Sequence, residues 1–112
     1  MARYLISFDD GTMTIPEEDL PAVSEASRTV VRELKAAGAW IFGAGIQHQQ
    51  ANIVAPDGSV VAGAFPETKA VIGGFSIIEV PTREDALEWA AKLAAACRCA
   101  QEVREIMYDP ES

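Results

Sequence analysis

The chain has few side chains that bind metals or act as nucleophiles, and this limits its chemistry. Its 112 residues contain one histidine, His48, and two cysteines, Cys97 and Cys99. A zinc site takes four protein ligands, or three and a water, and no Cys-x-x-Cys pair is present to begin one. Free cysteine is among the most buried residue types. We therefore expect buried structural thiols, and neither a metal site nor a disulfide.

Basic residues are scarce as well. Nine lysines and arginines stand against seventeen aspartates and glutamates, which gives a formal net charge of −8 at pH 7. The average field of such a chain repels phosphate backbones and anionic membrane surfaces. We therefore expect no nucleic-acid partner and no membrane partner.

Long apolar runs are missing. The segment from Met1 to Asp9 lacks the apolar core of a signal peptide, and the start of the chain has no run of the roughly 20 residues that span a bilayer. A cytoplasmic location is the resulting expectation. Apolar residues nevertheless make up 49% of the composition, which is close to the average for folded proteins. We expect residues 1–112 to form a single domain.

The spacing of apolar residues in the first third of the chain predicts a strand and then a helix. Residues Arg3 to Phe8 alternate with the period of a strand. The helix is expected to begin between Thr14 and Pro21, with Thr14-Ile15-Pro16-Glu17 as its start signal, and to end near Ala37.

The middle of the chain predicts extended structure. The runs Ile46 to Val54 and Val60-Val61 are separated by Pro56-Asp57-Gly58-Ser59. Asp-Gly between two extended runs is typical of a hairpin. Phe75 to Val80 is rich in β-branched and aromatic residues, which predicts a core strand.

A second helix and a last strand complete the pattern. Thr82 and Asp85 form a capping-box signal for a helix that runs to about Cys97, and Gln101 to Met107 alternate as a strand. The order is therefore strand, helix, strand, hairpin, strand, helix, strand. It predicts an α+β domain with the split βαβ pattern of the ferredoxin-like fold and an inserted hairpin.

One segment resembles a family signature. Gly63-Ala64-Phe65-Pro66-Glu67-Thr68-Lys69, followed by Gly73-Gly74, is similar to the Asp-Gly-Pro-Phe-x-Glu-Thr-Lys segment and Gly-Gly strand of the YCII-related proteins, in the branch called DGPF. Ala62 and Ala64 stand where that branch has its aspartate and its proline. The first change removes a side chain that could carry a proton, bind a metal or cap a helix.

The resemblance implies a fold and an assembly more than a reaction. Members of the YCII-related family have a ferredoxin-like fold and pair their sheets into a dimeric α/β barrel. Most have no assigned reaction, a few related proteins act on small aromatic or lactone substrates, and some DGPF proteins accompany sigma factors. A homodimer also agrees with the predicted fold, because helices on one sheet face leave apolar residues on the other face uncovered.

Five residues are candidates for binding. His48 is the one side chain with an unperturbed pKa near neutrality, although its polar neighbours also fit an exposed edge strand. Glu67, Thr68 and Lys69 lie together in a predicted loop. Lys69 could hold an anionic ligand. Alternatively, Thr68 could cap a turn, and Glu67 and Lys69 could pair with backbone groups or charges. Arg104 could line a cleft or form a cross-strand ion pair.

Three functional hypotheses follow from these residues. The first is a homodimeric YCII-related protein that binds a small molecule in a cleft between the sheet and the loop. The second is an isomerase, lyase or dehydrochlorinase that uses His48 for proton transfer. The third is an interaction partner of a transcription regulator. No catalytic residue is assigned, and Gly73-Gly74 lacks the spacing of a nucleotide-binding loop, so no cofactor is expected.

Overall fold

A computed structural model describes residues 1–47, 51–63 and 72–112. Two short 3-10 turns, Asp10–Thr12 and Glu17–Asp19, precede the first helix. The helices and strands of the described residues are, in chain order, β1 (Ala2–Asp9), α1 (Leu20–Ala36), β2 (Trp40–Gly45), β3 (Asn52–Val54), β4 (Val60–Ala62), β5 (Ile72–Val80), α2 (Arg83–Cys97) and β6 (Glu102–Glu105). The predicted α+β class and element order are confirmed.

Four of the strands form one antiparallel sheet in the order β2-β5-β1-β6. In the middle of that sheet, Tyr4 of β1 lies opposite Ile78 of β5 on one side and Glu105 of β6 on the other. The strands β3 and β4 form a separate hairpin around the predicted Asp-Gly turn. This topology is compatible with the ferredoxin-like fold.

The core lies between one face of the sheet and the two helices. Tyr4, Ile6 and Ile78 point to that face because they occupy alternate or directly opposed positions of β1 and β5. Ile6, Ile78 and Leu34 of α1 are fully buried, and burial of one such side chain stabilises the fold by about 1.5–3 kcal/mol. The contribution of α2 is made by small residues and one leucine: Ala86, Ala90, Leu93 and Ala96.

The first helix begins later than its sequence signal predicts. Glu17–Asp19 is a 3-10 turn, and α1 starts at Leu20 with Pro21 in its first turn, a position that proline favours. The Asp19 carboxylate accepts a hydrogen bond from Arg98 at 2.9 Å and makes no cap bond to the helix. The helix thus begins within the predicted range of Thr14 to Pro21, although Thr14 does not cap it. The helix ends at Ala36, close to the predicted end near Ala37, and Gly38 follows with φ +72°.

The second helix begins as its capping signal predicts. The Thr82 hydroxyl accepts a hydrogen bond from the backbone N–H of Asp85 at 3.1 Å, which satisfies one of the free donors of the first turn. The helix ends at Cys97, and Arg98 then takes a left-handed conformation with φ 56°. Because Arg98 also binds Asp19, the end of α2 is tied to the start of α1.

The second strand lies earlier than the sequence predicts. The expected extended run Ile46 to Val54 is confirmed at Asn52–Val54, whereas Ile46, Gln47 and Ala51 are not in a strand and residues 48–50 lie outside the described residues. Glycine has a low strand propensity, yet β2 contains Gly43 opposite Ser76 and Gly45 opposite Gly74.

No helix among residues 1–47, 51–63 and 72–112 combines the length and the apolar character that a membrane span requires.

The atoms around Gly43 pack too closely to leave room for a side chain. A Cβ atom at this position would lie 2.5 Å from the Trp40 ring and 2.8 Å from the backbone oxygen of Phe75, whereas one at Gly45 would meet nothing closer than 3.9 Å. We predict that Gly43→Ala lowers the free energy of unfolding by about 1–3 kcal/mol because backbone must move. Gly45→Ala, two residues along the same strand, should be neutral or stabilising by less than about 1 kcal/mol. Urea denaturation of both variants tests this, and equal effects would contradict it.

Tyr4 gives the fold a dependence on alkaline pH. Burial first, and then the nearby charge of Glu105, raise the pKa of the Tyr4 hydroxyl above the ordinary value of 10.0. Since the folded pKa lies above the unfolded one, the contribution of Tyr4 to stability is complete below pH 10 and is lost as pH rises through the folded pKa. In a Tyr108→Phe variant, near-ultraviolet absorbance should show the remaining tyrosine titrating above 10.0. Adding Glu105→Gln should lower that midpoint, and an unchanged midpoint would contradict the electrostatic part of the account.

Candidate functional site

A wide groove of about 1010 Å³ lies between α1 and the β2–β5 side of the sheet. We call it the α1 groove. Residues of α1, β2, β5 and the end of β1 form its walls, and Leu93 and Cys97 of α2 also line it. The volume is at the upper end of the range of small-molecule sites, about 300–1,000 Å³.

The sheet wall is open because its strands carry very small side chains there. Gly43 pairs with Ser76, and Gly45 pairs with Gly74, so a hydroxymethyl group is the largest side chain at these four positions. A helix that packs on a sheet normally meets branched apolar side chains in this place. Their absence leaves the space beneath α1 unfilled.

Two aromatic rings lie against this glycine backbone. A Cβ atom at Gly43 would contact the ring of Trp40, and Cβ atoms at Gly73 and Gly74 would lie within 2.6 and 2.8 Å of the ring of Phe8. Trp40 and Phe8 both line the α1 groove. The glycines therefore let the rings approach the sheet closely, and the rings supply an aromatic surface to the groove.

Apart from the hydroxyl groups of Ser24 and Ser27, the helix wall is apolar. Leu20, Val23, Ser27 and Val31 recur at intervals of three or four residues and so share the side of α1 that lines the groove. The Ser27 hydroxyl donates to the backbone oxygen of Val23 at 2.9 Å, and its oxygen lies 3.4 Å from the Cys97 sulfur. The hydroxyl of Ser27 thus has partners within the protein.

The rim of the groove on α1 is positively charged. Arg28, Arg32 and Lys35 line it, which is three of the nine basic residues of the chain. Arg32 donates to the Glu25 carboxylate at 2.7 Å, and both side chains are exposed. This hydrogen bond, then the charge of Arg32 and that of Arg28, lower the pKa of Glu25. Within the described parts of the chain, the side chains of Arg28 and Lys35 form no hydrogen bond or ion pair.

The described walls of the groove can bind a molecule but offer little to a proton-transfer reaction. The residues that line the groove, within the described ranges, include no histidine, aspartate or glutamate. No group of three or more His, Cys, Asp or Glu side chains that could hold a metal ion occurs in the described part of the chain either. The described walls therefore offer a ligand apolar contacts and positive charge.

Four of the five site residues predicted from the sequence, His48, Glu67, Thr68 and Lys69, lie outside the described residues. The fifth, Arg104, is exposed on β6 opposite Leu5, on the sheet face that points away from the helices. It donates to Glu102 at 2.6 Å. The ion pair runs along the strand, over two residues, and does not cross to a neighbouring strand. A role of Arg104 in binding stays a prediction.

The two cysteines are less buried than the sequence predicts. Cys97 and Cys99 are of intermediate exposure, and Cys97 lies on the wall of the α1 groove. The expectation of buried thiols is wrong because Cys97 is the last residue of α2 and borders the open groove, and Cys99 lies beyond the end of the helix.

Comparison with known proteins decides the family. Residues 2–108 match the model of the YCII-related domain. The protein belongs to the YCII-related family. The match confirms the predicted YCII-related family, and it spans every helix and strand described above. No curated protein matches the chain.

The α1 groove of this YCII-related protein was not predicted from the sequence, although one signal for it exists. Arg28, Arg32 and Lys35 are spaced by four and three residues, so they form a basic stripe along one side of α1. The stripe borders Ser27 and Val31. The protein as a whole is strongly acidic. A helix surface with a basic stripe beside an apolar one therefore differs in charge from the rest of the molecule.

Proposed function

We propose that this YCII-related protein binds a small molecule in the α1 groove, and that it works as a cytoplasmic homodimer. The groove itself is the observation that carries the binding proposal. It has an apolar wall, an aromatic surface and an entrance open to solvent, which are the usual features of a small-molecule site. The sequence placed the cleft between the sheet and the loop of Glu67, whereas the described residues support a cleft between the sheet and α1.

The walls of the groove are held by the core, so the site is formed before a ligand arrives. Val23 and Leu93 line the groove and are buried, with 3% and 5% of their surface exposed. Trp40 packs against the core cluster that contains Leu93. A preformed site avoids the entropic cost of ordering the protein on binding, which supports binding as the function of this space.

The alternative, a proton-transfer enzyme, rests on the position of His48 in the chain. His48 follows Gly45, a residue of the groove wall, by three positions. An imidazole is the side chain that most often transfers protons at neutral pH. The described walls hold no partner acid, so binding is the function that the geometry supports better.

The homodimer proposal is supported by the sheet face that the helices leave open. Leu5, Ile77 and Phe42 lie side by side across β1, β5 and β2 on this face. The Phe42 side chain is 56% exposed and its ring lies 5.9 Å from that of Phe75. A row of apolar side chains across three strands is suited to contact with the same face of a second copy.

The first prediction concerns ligand binding. In a thermal-shift screen of small anions, aromatic compounds and lactones, a ligand at about 100 times its Kd should raise Tm by about 10 °C. Ser24→Trp, which places an indole in the groove, should abolish the rise. Ala22→Trp adds the same group on the opposite side of α1 and should preserve it. The proposal fails if no compound shifts Tm, or if both variants retain the shift.

The second prediction concerns assembly. Sedimentation velocity should give twice the chain mass of 12.0 kDa for the natural protein. Ile77→Glu places a charge in the middle of the apolar row, so it should give the 12.0 kDa monomer with its unfolding transition retained. Leu87→Glu, at an exposed apolar position of α2, is the control and should leave the dimer intact. A natural protein that sediments as a monomer would rule out the dimer.

A further inference from the structure

We infer that the ligand of the α1 groove is an amphiphilic anion, a molecule with an apolar alkyl or aromatic body and one carboxylate-like group. This inference rests on the proposed function of the groove and names its class of ligand. The body would lie on the apolar walls, and the anionic group would lie at the rim between Arg28 and Lys35.

The charge of the rim is the opposite of the charge of the protein. The chain carries −8 at pH 7, yet the residues that line the α1 groove, within the described ranges, include three cations and no acid. Charge complementarity decides which of several similar ligands is preferred at such a site. The local charge therefore selects for an anion, whereas the average field of the protein selects against one.

The geometry of α1 brings the two cations to one place. Arg28 and Lys35 are seven residues apart, which is about 10 Å along a helix. Val31 lies between them on the same side and lines the groove. An anionic group above Val31 is within reach of both long side chains, because an extended arginine or lysine bridges about half of that separation.

Arg28 and Lys35 are also the cations that remain available. Glu25 of α1, which does not line the groove, accepts a hydrogen bond from Arg32 at 2.7 Å. In the described residues the side chains of Arg28 and Lys35 form no hydrogen bond or ion pair. Arg28 acts on Glu25 through its charge alone. An incoming carboxylate can thus receive charge-assisted hydrogen bonds from both without breaking an existing pair.

The composition of the walls favours a ligand with a single anionic group on an apolar body. Phe8, Trp40 and Val31 offer carbon surface, and the hydroxyl of Ser27 is already bonded within the protein. A polyphosphate would require a cradle of backbone N–H groups such as a glycine-rich loop before a helix. The α1 groove presents its positive charge at one edge only, which suits a monocarboxylate.

Three probes with the same body separate the effect of charge from that of apolar contact: octanoate, octan-1-ol and octylammonium. Each is titrated into a Trp89→Phe variant, in which Trp40 of the groove wall is the one remaining tryptophan and reports binding by its fluorescence. We expect octanoate to bind about tenfold more tightly than octylammonium, with octan-1-ol between them, and the advantage of octanoate to shrink at high salt.

Single substitutions then locate the charge. Arg28→Gln and Lys35→Gln should each raise the Kd of octanoate about threefold and leave that of octan-1-ol unchanged. Arg83→Gln removes the same charge at the start of α2, outside the lining of the groove, and is the control. It should change neither Kd.

The outcomes separate the two claims. If octanoate and octan-1-ol bind equally well, or if Arg83→Gln weakens octanoate as much as Arg28→Gln does, the anion inference is overturned and the groove remains a binding site. If none of the three probes changes the fluorescence of Trp40, both the anion inference and the proposed binding function of the groove are contradicted.

Discussion

The close contact between two aromatic rings and a glycine backbone is the constraint on which the site depends. Trp40 lies against Gly43, and Phe8 lies against Gly73 and Gly74, at separations that leave no room for a Cβ atom. The rings can occupy these positions only because the strands beneath them lack side chains. The same lack of side chains leaves the space under α1 unfilled. Core packing and the α1 groove thus have one cause, and a methyl group added at Gly43 would disturb both.

This constraint gives a physical reason for part of the family signature. The glycine pair at Gly73-Gly74 forms the surface on which the Phe8 ring rests, so it serves packing at the wall of the groove. Gly63 has φ +109°, a conformation that favours glycine, and its N–H bonds the backbone oxygen of Ala51 at 2.8 Å. Ala62, in place of the aspartate of the DGPF branch, is exposed on β4. The retained glycines are thus explained by backbone geometry, and membership of the DGPF branch stays a prediction.

Much of the fold could be predicted from local patterns, and the site could not. The Thr82 cap, the β3–β4 hairpin and strand β5 each depend on residues that are adjacent in sequence. The start of α1 at Leu20 lies within the predicted range, whereas the ion pair of Asp19 with Arg98 joins residues far apart in the chain and has no local signal. The α1 groove is lined by residues of five helices and strands, and it is open because the strands lack large side chains there. The periodicity of a sequence does not reveal such an unfilled space. Arg28 and Lys35 resemble an ordinary solvated helix face until Trp40 and Ser76 are placed beneath them.

The space between α1 and the sheet is proposed to receive a ligand. Amide chemical-shift mapping by NMR tests this proposal most directly. On titration with octanoate, the largest shifts should cluster at the amides of Gly43, Gly45, Val31 and Ser76, which lie around the α1 groove. Amides of the open sheet face, such as Leu5 and Arg104, should stay unchanged. Shifts that cluster on the open face, or that spread evenly over the protein, would contradict the account.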